Sequence, residues 1–295
     1  MIKNIIEFIQ SSDIDDIVNI YKFGFPKRRA NIFELRKKSF PIDNMVFFLS
    51  TGRCGTAWFT KLLQNNKESR ILHNPKPNLH IQGKLVYEIL KKNNFEIDND
   101  TESLIEEMFY AGREEMLRYV YKAQKSFIET NNHITFFAPV LAKIFPQAKF
   151  IHLYRHPAEF VRSALRRGYF ATNDNMIEKR IKPINDPSWN SLSQFKKNIW
   201  LWNETNNFIE KFKKEVTADR IIDFNFNELN EENIQTLLSF LEISVKPKII
   251  KRSINKKVNI QKFGSLKHHS SWTEEKKSIL YNSSKFLMNK YNYTI

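Results

Sequence analysis

Two short stretches of the sequence combine residue types that bind anions. The first, STGRCGT at residues 50–56, places Gly52 and Gly55 on either side of Arg53 in a chain with only seven glycines. Glycine tolerates positive φ angles and close backbone approach, so successive N–H groups can converge on an anion. Arg53 adds a fixed cation and Thr56 a hydroxyl donor. The pattern indicates phosphate binding, and a plain strand-to-helix turn is the alternative.

The second stretch is YRHPAEFVRS at residues 154–163, in which Arg155 precedes Ser163 by eight positions. A planar guanidinium and a serine hydroxyl together suit a terminal phosphate. The alternative is that Arg155 only ends its strand. Three further arginines follow, and for these the sequence favours a solvent-facing helix surface: Arg162, Arg166 and Arg167.

The elements around these stretches must bring them together. Residues 45–50 form a continuous apolar run typical of a buried parallel strand, and residues 149–154 form another. Each is followed by a predicted helix, beginning near Thr56 and at Pro157. Ligands of open parallel sheets bind at the carboxyl ends of strands, so we expect both stretches to face one crevice.

The remaining chain continues the alternation of strands and helices. Further strands are predicted at 70–73, 126–129 and 220–224, and helices at 81–95, 101–125, 134–145, 190–214, 231–242 and 273–291. The alternation predicts a single α/β domain over residues 1–295, a three-layer sandwich with a central, mainly parallel sheet. Residues 1–40 are predicted to form an N-terminal helical extension.

The composition favours an anionic partner. The chain has 47 Lys and Arg against 32 Asp and Glu, a formal net charge of +15. The single cysteine, Cys54, excludes an internal disulfide framework and a cysteine-cluster metal site. The sequence lacks a signal-peptide pattern and an apolar run of about eighteen residues, so we expect a cytoplasmic protein without a transmembrane segment.

Together the two stretches resemble the donor-binding motifs of sulfotransferases that use 3′-phosphoadenosine-5′-phosphosulfate (PAPS). STGRCGTAWFTKLL is similar to their 5′-phosphosulfate loop, and YRHPAEFVRS is similar to their 3′-phosphate motif. RIIDFNFNEL and the terminal helix also fit, so the resemblance spans residues 44–293. The G-R-C-G-T loop resembles a bacterial subgroup. The resemblance implies a P-loop NTPase-like fold, PAPS as sulfuryl donor, adenosine 3′,5′-bisphosphate (PAP) as product, and no metal.

The resemblance assigns most candidate residues to the donor. The loop would hold the 5′-phosphate and the sulfonate through Thr51, Gly52, Arg53, Cys54, Gly55, Thr56, Ala57 and Trp58. Arg155 and Ser163 would hold the 3′-phosphate, with Lys262 and Lys267 extending that site. Phe226 and Trp58 would pack on adenine, a core tryptophan being the alternative for Trp58. Cys54 is expected to pack; the alternative is a nucleophile whose pKa the electropositive loop lowers.

The implied reaction is in-line sulfuryl transfer to an acceptor hydroxyl or amine. Arg53 would stabilise charge on the leaving oxygen, and a general base would activate a hydroxyl. Glu129, His133 and His73 are the candidate bases, and each has a structural alternative, such as a helix N-cap at His133. The polar, basic segment 167–183 would suit a carbohydrate, a glycolipid or another anionic acceptor.

Two other functions are weighed against this one. A P-loop nucleotide kinase would need the full G-x-x-x-x-G-K-[ST] pattern, which the loop lacks. A basic nucleic-acid-binding protein would expose aromatic residues among clustered cations, whereas Phe and Trp here follow core periodicity. We therefore expect no nucleic-acid partner. A monomer or a homodimer is expected, and residues 1–40 are candidates for dimer contacts, peripheral membrane contact or cover for the sheet.

Overall fold

Five strands form one parallel sheet at the centre of the protein. The computed structural model describes residues 35–36, 41–42, 44–256 and 268–294. The strands are β1 (Met45–Leu49), β2 (Ser69–Leu72), β3 (Ser126–Glu129), β4 (Lys149–Tyr154) and β5 (Ile221–Asn225). Their order is β2-β3-β1-β4-β5, and every neighbouring pair is parallel. The α/β sandwich with a parallel sheet is confirmed.

Helices flank the sheet and connect its strands. They are α1 (Thr56–Leu63), α2 (His80–Lys92), α3 (Asn99–Ala123), α4 (Ala138–Ile144), α5 (Pro157–Arg166), α6 (Gln194–Phe212), α7 (Glu231–Phe240), α8 (Pro247–Ile254) and α9 (Glu274–Lys290). Some of the helix starts have a side-chain cap: Asp98 accepts from the Thr101 N–H before α3, and Thr273 accepts from the Lys276 N–H before α9. Among the helices described, none has the length and hydropathy needed to cross a bilayer.

One predicted helix is divided in two. The sequence predicts a continuous helix over 134–145, whereas the structure has a 3-10 helix at Asn132–Phe137 and then α4. Pro139 explains the break, because proline has no N–H to donate and its ring opposes a preceding helical turn. It is tolerated where it lies, in the first turn of α4.

Phenylalanine packing around β1 forms the middle of the core. All five residues of β1 are buried. The Phe47 ring lies 5.9 Å from the rings of Phe127 and Phe150 and 6.2 Å from those of Phe109 and Phe145. Residues of both neighbouring strands and of the flanking layer therefore meet at one ring, as expected of a strand covered on both faces.

The register of β1 fixes where the two anion-binding stretches lie. Phe48 is paired with Ile151 of β4, and Phe47 with Glu129 of β3. The ends of β1 and β4 are therefore adjacent at one edge, where both stretches begin. Most of the predicted N-terminal extension, residues 1–40, lies outside the described residues, as do Lys262 and Lys267.

Candidate functional site

A cavity of about 990 Å³ opens at the carboxyl ends of the strands. Most predicted site residues line it: Thr51, Arg53, Gly55, Thr56, Ala57, Trp58, His73, His133, Arg155, Ser163 and Phe226. Gly52, Cys54 and Glu129 are not among its lining residues. The cavity is therefore the place where the two anion-binding stretches converge.

The loop after β1 needs its glycines because other residues approach it closely. Gly52, Arg53 and Gly55 all have left-handed backbone angles, with φ of 74°, 57° and 103°. A Cβ on Gly55 would lie 2.2 Å from a ring carbon of Phe226, and one on Gly52 would lie 3.0 Å from the Asn132 side chain. Both glycines thus combine a positive φ with a close contact, which a plain turn would not require.

Arg53 joins the two stretches directly. Its Nε donates a hydrogen bond of 3.0 Å to the Ser163 hydroxyl, 110 residues away in the chain. Burial lowers the pKa of Arg53, and the nearby Arg167 and Arg155 lower it further against an opposing effect of Tyr169. Arginine stays charged even so, which leaves several cations close together in a partly desolvated site. Such a cluster favours a multivalent anion.

The second cationic centre is built on α5. Arg155 and Arg162 each donate through Nη2 to Oε2 of Glu159, at 3.1 Å. The Nε atoms of both arginines are buried without a hydrogen-bond partner among the described residues. Burial alone would raise the pKa of Glu159, but Arg155, Arg162 and His269 outweigh it and lower that pKa overall. Glu159 is therefore ionised at neutral pH.

The solvent-facing surface predicted for three arginines is found only in part, because Arg167 is exposed whereas Arg162 and Arg166 are half-buried. The structure places all of them in the cavity lining: Arg162, Arg166 and Arg167. α5 ends at Arg166 and turns this side toward the cavity, which Tyr169 and Ile181 of the following segment also line. The charge that looked like a solvated helix face belongs to the site.

Two aromatic side chains bound the cavity beside β5. The Trp58 and Phe226 rings are 6.1 Å apart at 72°, and the Arg155 guanidinium carbon lies 5.8 Å from the Phe226 ring centre. Trp58 is 5% exposed, and its Nε1 donates to the Ser253 carbonyl oxygen at 3.0 Å. Both roles weighed for Trp58, core packing and cavity lining, are therefore present in the same side chain.

Cys54 is a packing residue. Its Sγ donates to the Gly52 carbonyl oxygen and lies 3.1 Å from the Thr51 hydroxyl. Burial raises the pKa of Cys54 to about 11, which outweighs the lowering effects of Thr51, Arg155 and Arg53. The expectation of a lowered pKa is wrong, because the thiol faces the protein interior.

Three histidines gather at the other end of the cavity. The His80 and His133 rings are 4.0 Å apart. Burial, with contributions from His80 and Arg180, lowers the pKa of His133 to about 3. His73 places Nδ1 3.0 Å from the Thr130 hydroxyl, and burial lowers its pKa as well. Neutral imidazoles are able to accept a proton.

The backbone before His133 shows what caps the helix there. The His133 N–H donates to the Asn131 side chain at 3.2 Å. Asn131, and not His133, is therefore the N-cap of the 3-10 helix. The structural alternative weighed for His133 is removed, and its side chain remains in the cavity lining.

The structure does not bring Glu129 to the cavity. Glu129 is fully buried, and its two oxygens accept from Arg113 Nη2 at 2.6 Å and Arg113 Nε at 2.7 Å. Arg113 also donates to the carbonyl oxygens of Pro77 and Gly112. Both carboxylate oxygens are thus held away from any acceptor. The pair fastens α3 to the end of β3.

Sequence reasoning missed His80, Glu159 and the cations Lys84 and Arg180, all of which line the cavity. Glu159 carried a detectable signal, because it lies three residues before Arg162 on the same face of α5. His80 carried none, since its position depends on how α2 packs. A Cβ on Gly83 would lie 2.5 Å from the His133 carbonyl oxygen, so only glycine allows α2 this approach.

Comparison with known proteins bears on the family and the fold of the chain. Residues 45–247 match the model of the sulfotransferase family. No curated protein sequence matches the chain. The sulfotransferase domain of the Synechococcus PCC 7002 olefin synthase has a TM-score of 0.50 and 15% identity, over 85% of this chain and 95% of that domain. The sulfotransferase domain from the curacin biosynthetic pathway has a TM-score of 0.50 and 14% identity, over 85% and 98%. At these identities the likeness concerns the fold.

Proposed function

The chain belongs to the sulfotransferase family, and we propose that it transfers a sulfuryl group from PAPS to a hydroxyl or amine of an acceptor. The observation that carries this proposal is the 3.0 Å hydrogen bond between Arg53 and Ser163 inside the cavity. It joins a phosphate-loop-like stretch to a second anion-binding stretch. A donor with phosphates at both ends of a nucleoside needs two such centres, one for each end.

The residues of the cavity fit such a donor. Arg53, Thr56 and the loop N–H groups would hold the 5′-phosphate. Arg155, Ser163 and Arg162 would hold the 3′-phosphate, and the Nε atoms of the two arginines, which have no partner among the described residues, would donate to it. Phe226 and Trp58 would pack against adenine. Lys262 and Lys267 remain predictions, since they lie outside the described residues.

Catalysis would depend on charge neutralisation and positioning. When bound, PAPS supplies the sulfuryl group; no metal is required by this chemistry. Arg53 would neutralise the charge that develops on the leaving oxygen. His73 and His133 are the proposed general bases because both line the cavity; burial lowers the pKa of both, most strongly for His133, which makes His133 the weaker base of the two. Glu129 is left out of this role because Arg113 holds both of its oxygens.

The acceptor end of the cavity suits a polar, anionic molecule. Lys84, Lys179 and Arg180 line it together with Asn74 and Asn132. Amide and ammonium donors of this kind suit the hydroxyl and acidic groups of a carbohydrate or a glycolipid. We propose these as the acceptor classes to screen first, using PAPS labelled in its sulfuryl group.

A ligand-dependent shift in melting temperature tests the donor. PAP at a hundred times its Kd should stabilise the protein by about 2.7 kcal/mol, whereas ATP with Mg²⁺ or an oligonucleotide should give a smaller shift. Arg155→Ala should abolish the shift with PAP. Arg118→Ala is the matched control, because Arg118 pairs with Glu115 on the surface of α3 and should leave it unchanged. A shift with ATP and Mg²⁺ alone would refute the proposal in favour of a nucleotide kinase.

A further inference from the structure

Glu159 lies between Arg155 and Arg162, the two arginines that we propose to bind the 3′-phosphate. The geometry points to Glu159 as an internal anion that competes with the 3′-phosphate for Arg155 and Arg162 and thereby promotes release of PAP. This inference rests on the proposed function. It concerns a residue whose role that function does not require.

The contacts of Glu159 divide between its two oxygens. Oε2 accepts from Arg155 and Arg162, each at 3.1 Å. Oε1 lies 3.1 Å from His269 Nδ1 and 3.4 Å from His268 Nε2. The side chain is 9% exposed and lines the cavity. One carboxylate thus holds the guanidinium groups on one side and the 268–269 segment on the other.

The arginines are incompletely satisfied by this carboxylate. Arg155 Nε and Arg162 Nε are both buried without a partner among the residues that the structure describes. A carboxylate with one oxygen turned to two histidines has little capacity left for them. A phosphate monoester has three terminal oxygens and about two negative charges near neutral pH, so it can satisfy more of these donors. The site is therefore better matched to phosphate than to its own carboxylate.

A metal ion is the other ligand that this cluster could attract. Glu159, His268 and His269 place ligand atoms within 4.8 Å of one another. However, Arg155 and Arg162 both donate to the second oxygen of the same carboxylate. Two fixed cations at this distance repel a divalent cation and attract an anion. We therefore infer anion exchange at Glu159 and no metal site.

Competition between the Glu159 carboxylate and the 3′-phosphate would speed the release of PAP during turnover. A bound 3′-phosphate and the Glu159 carboxylate carry like charges and require the same two guanidinium groups, so they oppose each other. While the phosphate is bound, Glu159 can keep its contacts to His268 and His269 through Oε1. When PAP begins to dissociate, the carboxylate is already in place to recapture Arg155 and Arg162, which disfavours rebinding.

The test compares PAP binding by the wild-type protein and by Glu159→Gln, which keeps the shape and removes the charge. Glu159→Gln should bind PAP about tenfold more tightly, as expected for removal of a like charge at contact distance. PAP should also dissociate more slowly in a stopped-flow displacement measurement, and kcat and KM for PAPS should both fall. Glu242→Gln is the charge-matched control, because the exposed Glu242 pairs with Lys149 at the start of β4, the end of that strand opposite the cavity; it should change PAP affinity less than about twofold.

The outcomes separate the inference from the proposed function. Equal or weaker PAP binding by Glu159→Gln, with normal binding by the wild type, would overturn the inference and leave the sulfotransferase proposal intact. Absence of PAP binding by the wild type would refute both. If Glu159→Gln does not fold, as judged by circular dichroism, Glu159→Asp serves instead. Its shorter side chain withdraws the charge from the arginines, so intermediate tightening supports the inference and its absence contradicts it.

Discussion

Gly83 offers the sharpest test of how the acceptor end of the cavity is built. It lies in α2, and a Cβ added there would meet the His133 carbonyl oxygen at 2.5 Å. Replacing Gly83 with alanine would therefore push α2 away from the 3-10 helix that carries His133. Because the His80 ring is 4.0 Å from the His133 ring, the same displacement would separate these two histidines.

Two opposing effects determine how much Gly83→Ala changes the free energy of unfolding. Replacing glycine with alanine inside a helix stabilises the folded protein by about 1 kcal/mol, because alanine has the higher helix propensity. Overpacking a well-packed interior costs about 1–3 kcal/mol, and the upper part of this range applies because the obstructing atom belongs to the backbone. We therefore expect Gly83→Ala to lower the free energy of unfolding by about 1–2 kcal/mol, since the steric cost exceeds the propensity gain.

Gly112→Ala is the matched control within α3. Its Cβ would lie 2.7 Å from Leu79 Cδ2, the end of a side chain that can rotate away. The two effects should nearly cancel there. Urea denaturation of both variants measures the difference, and sulfate transfer should fall in Gly83→Ala while PAP affinity is retained. A Gly83→Ala protein as stable as the wild type, or no more destabilised than Gly112→Ala, would refute the reasoning.

Two further predictions concern the candidate bases. Glu129→Gln leaves the buried Arg113 cation without its counter-ion, so we expect a loss of about 3–5 kcal/mol in the free energy of unfolding; unchanged stability with abolished transfer would restore Glu129 as the base. His133 has a folded-state pKa of about 3 against an ordinary value of 6.5, so the unfolded state binds the extra proton between these values. The contribution of the neutral His133 ring to the free energy of unfolding is fully present above pH 6.5. It is lost as the pH falls below that value, by about 1.4 kcal/mol per pH unit. Comparing stability with that of His133→Asn from pH 7 to 4 isolates this slope, and parallel curves would contradict the burial of a neutral ring.

Local patterns predicted the parallel sheet, and they also predicted that the residues of the two anion-binding stretches meet in one cavity. The apolar runs at β1 and β4 and the glycines of the loop after β1 are signals contained in a few consecutive residues. Arg53 and Ser163 could be placed in one crevice because parallel strands end at the same edge. Their bond at 3.0 Å follows from that topology.

Long-range pairing explains what the sequence could not predict. Glu129 is the last residue of β3, a position at which a catalytic acid would be expected. Nothing near it in the sequence shows that Arg113, in the middle of α3, donates to both of its oxygens. His80 reaches the cavity because Gly83 lets α2 approach the backbone at His133. Such contacts are decided by how helices pack on the sheet, and hydrophobic periodicity carries no information about them.

The strand order indicates which loops at the strand ends could be replaced by those of a relative and which could not. β1 and β4, which lead into the two stretches proposed to bind phosphate, are neighbours in the sheet. His73 follows β2 at one outer edge, and Phe226 follows β5 at the other. Transplanting the segments after β2 and β3 from a relative would therefore change the acceptor wall and leave the spacing between the phosphate centres unaltered. If the proposed function holds, the choice of acceptor is open to grafting on this scaffold, whereas the choice of donor is tied to its central strands.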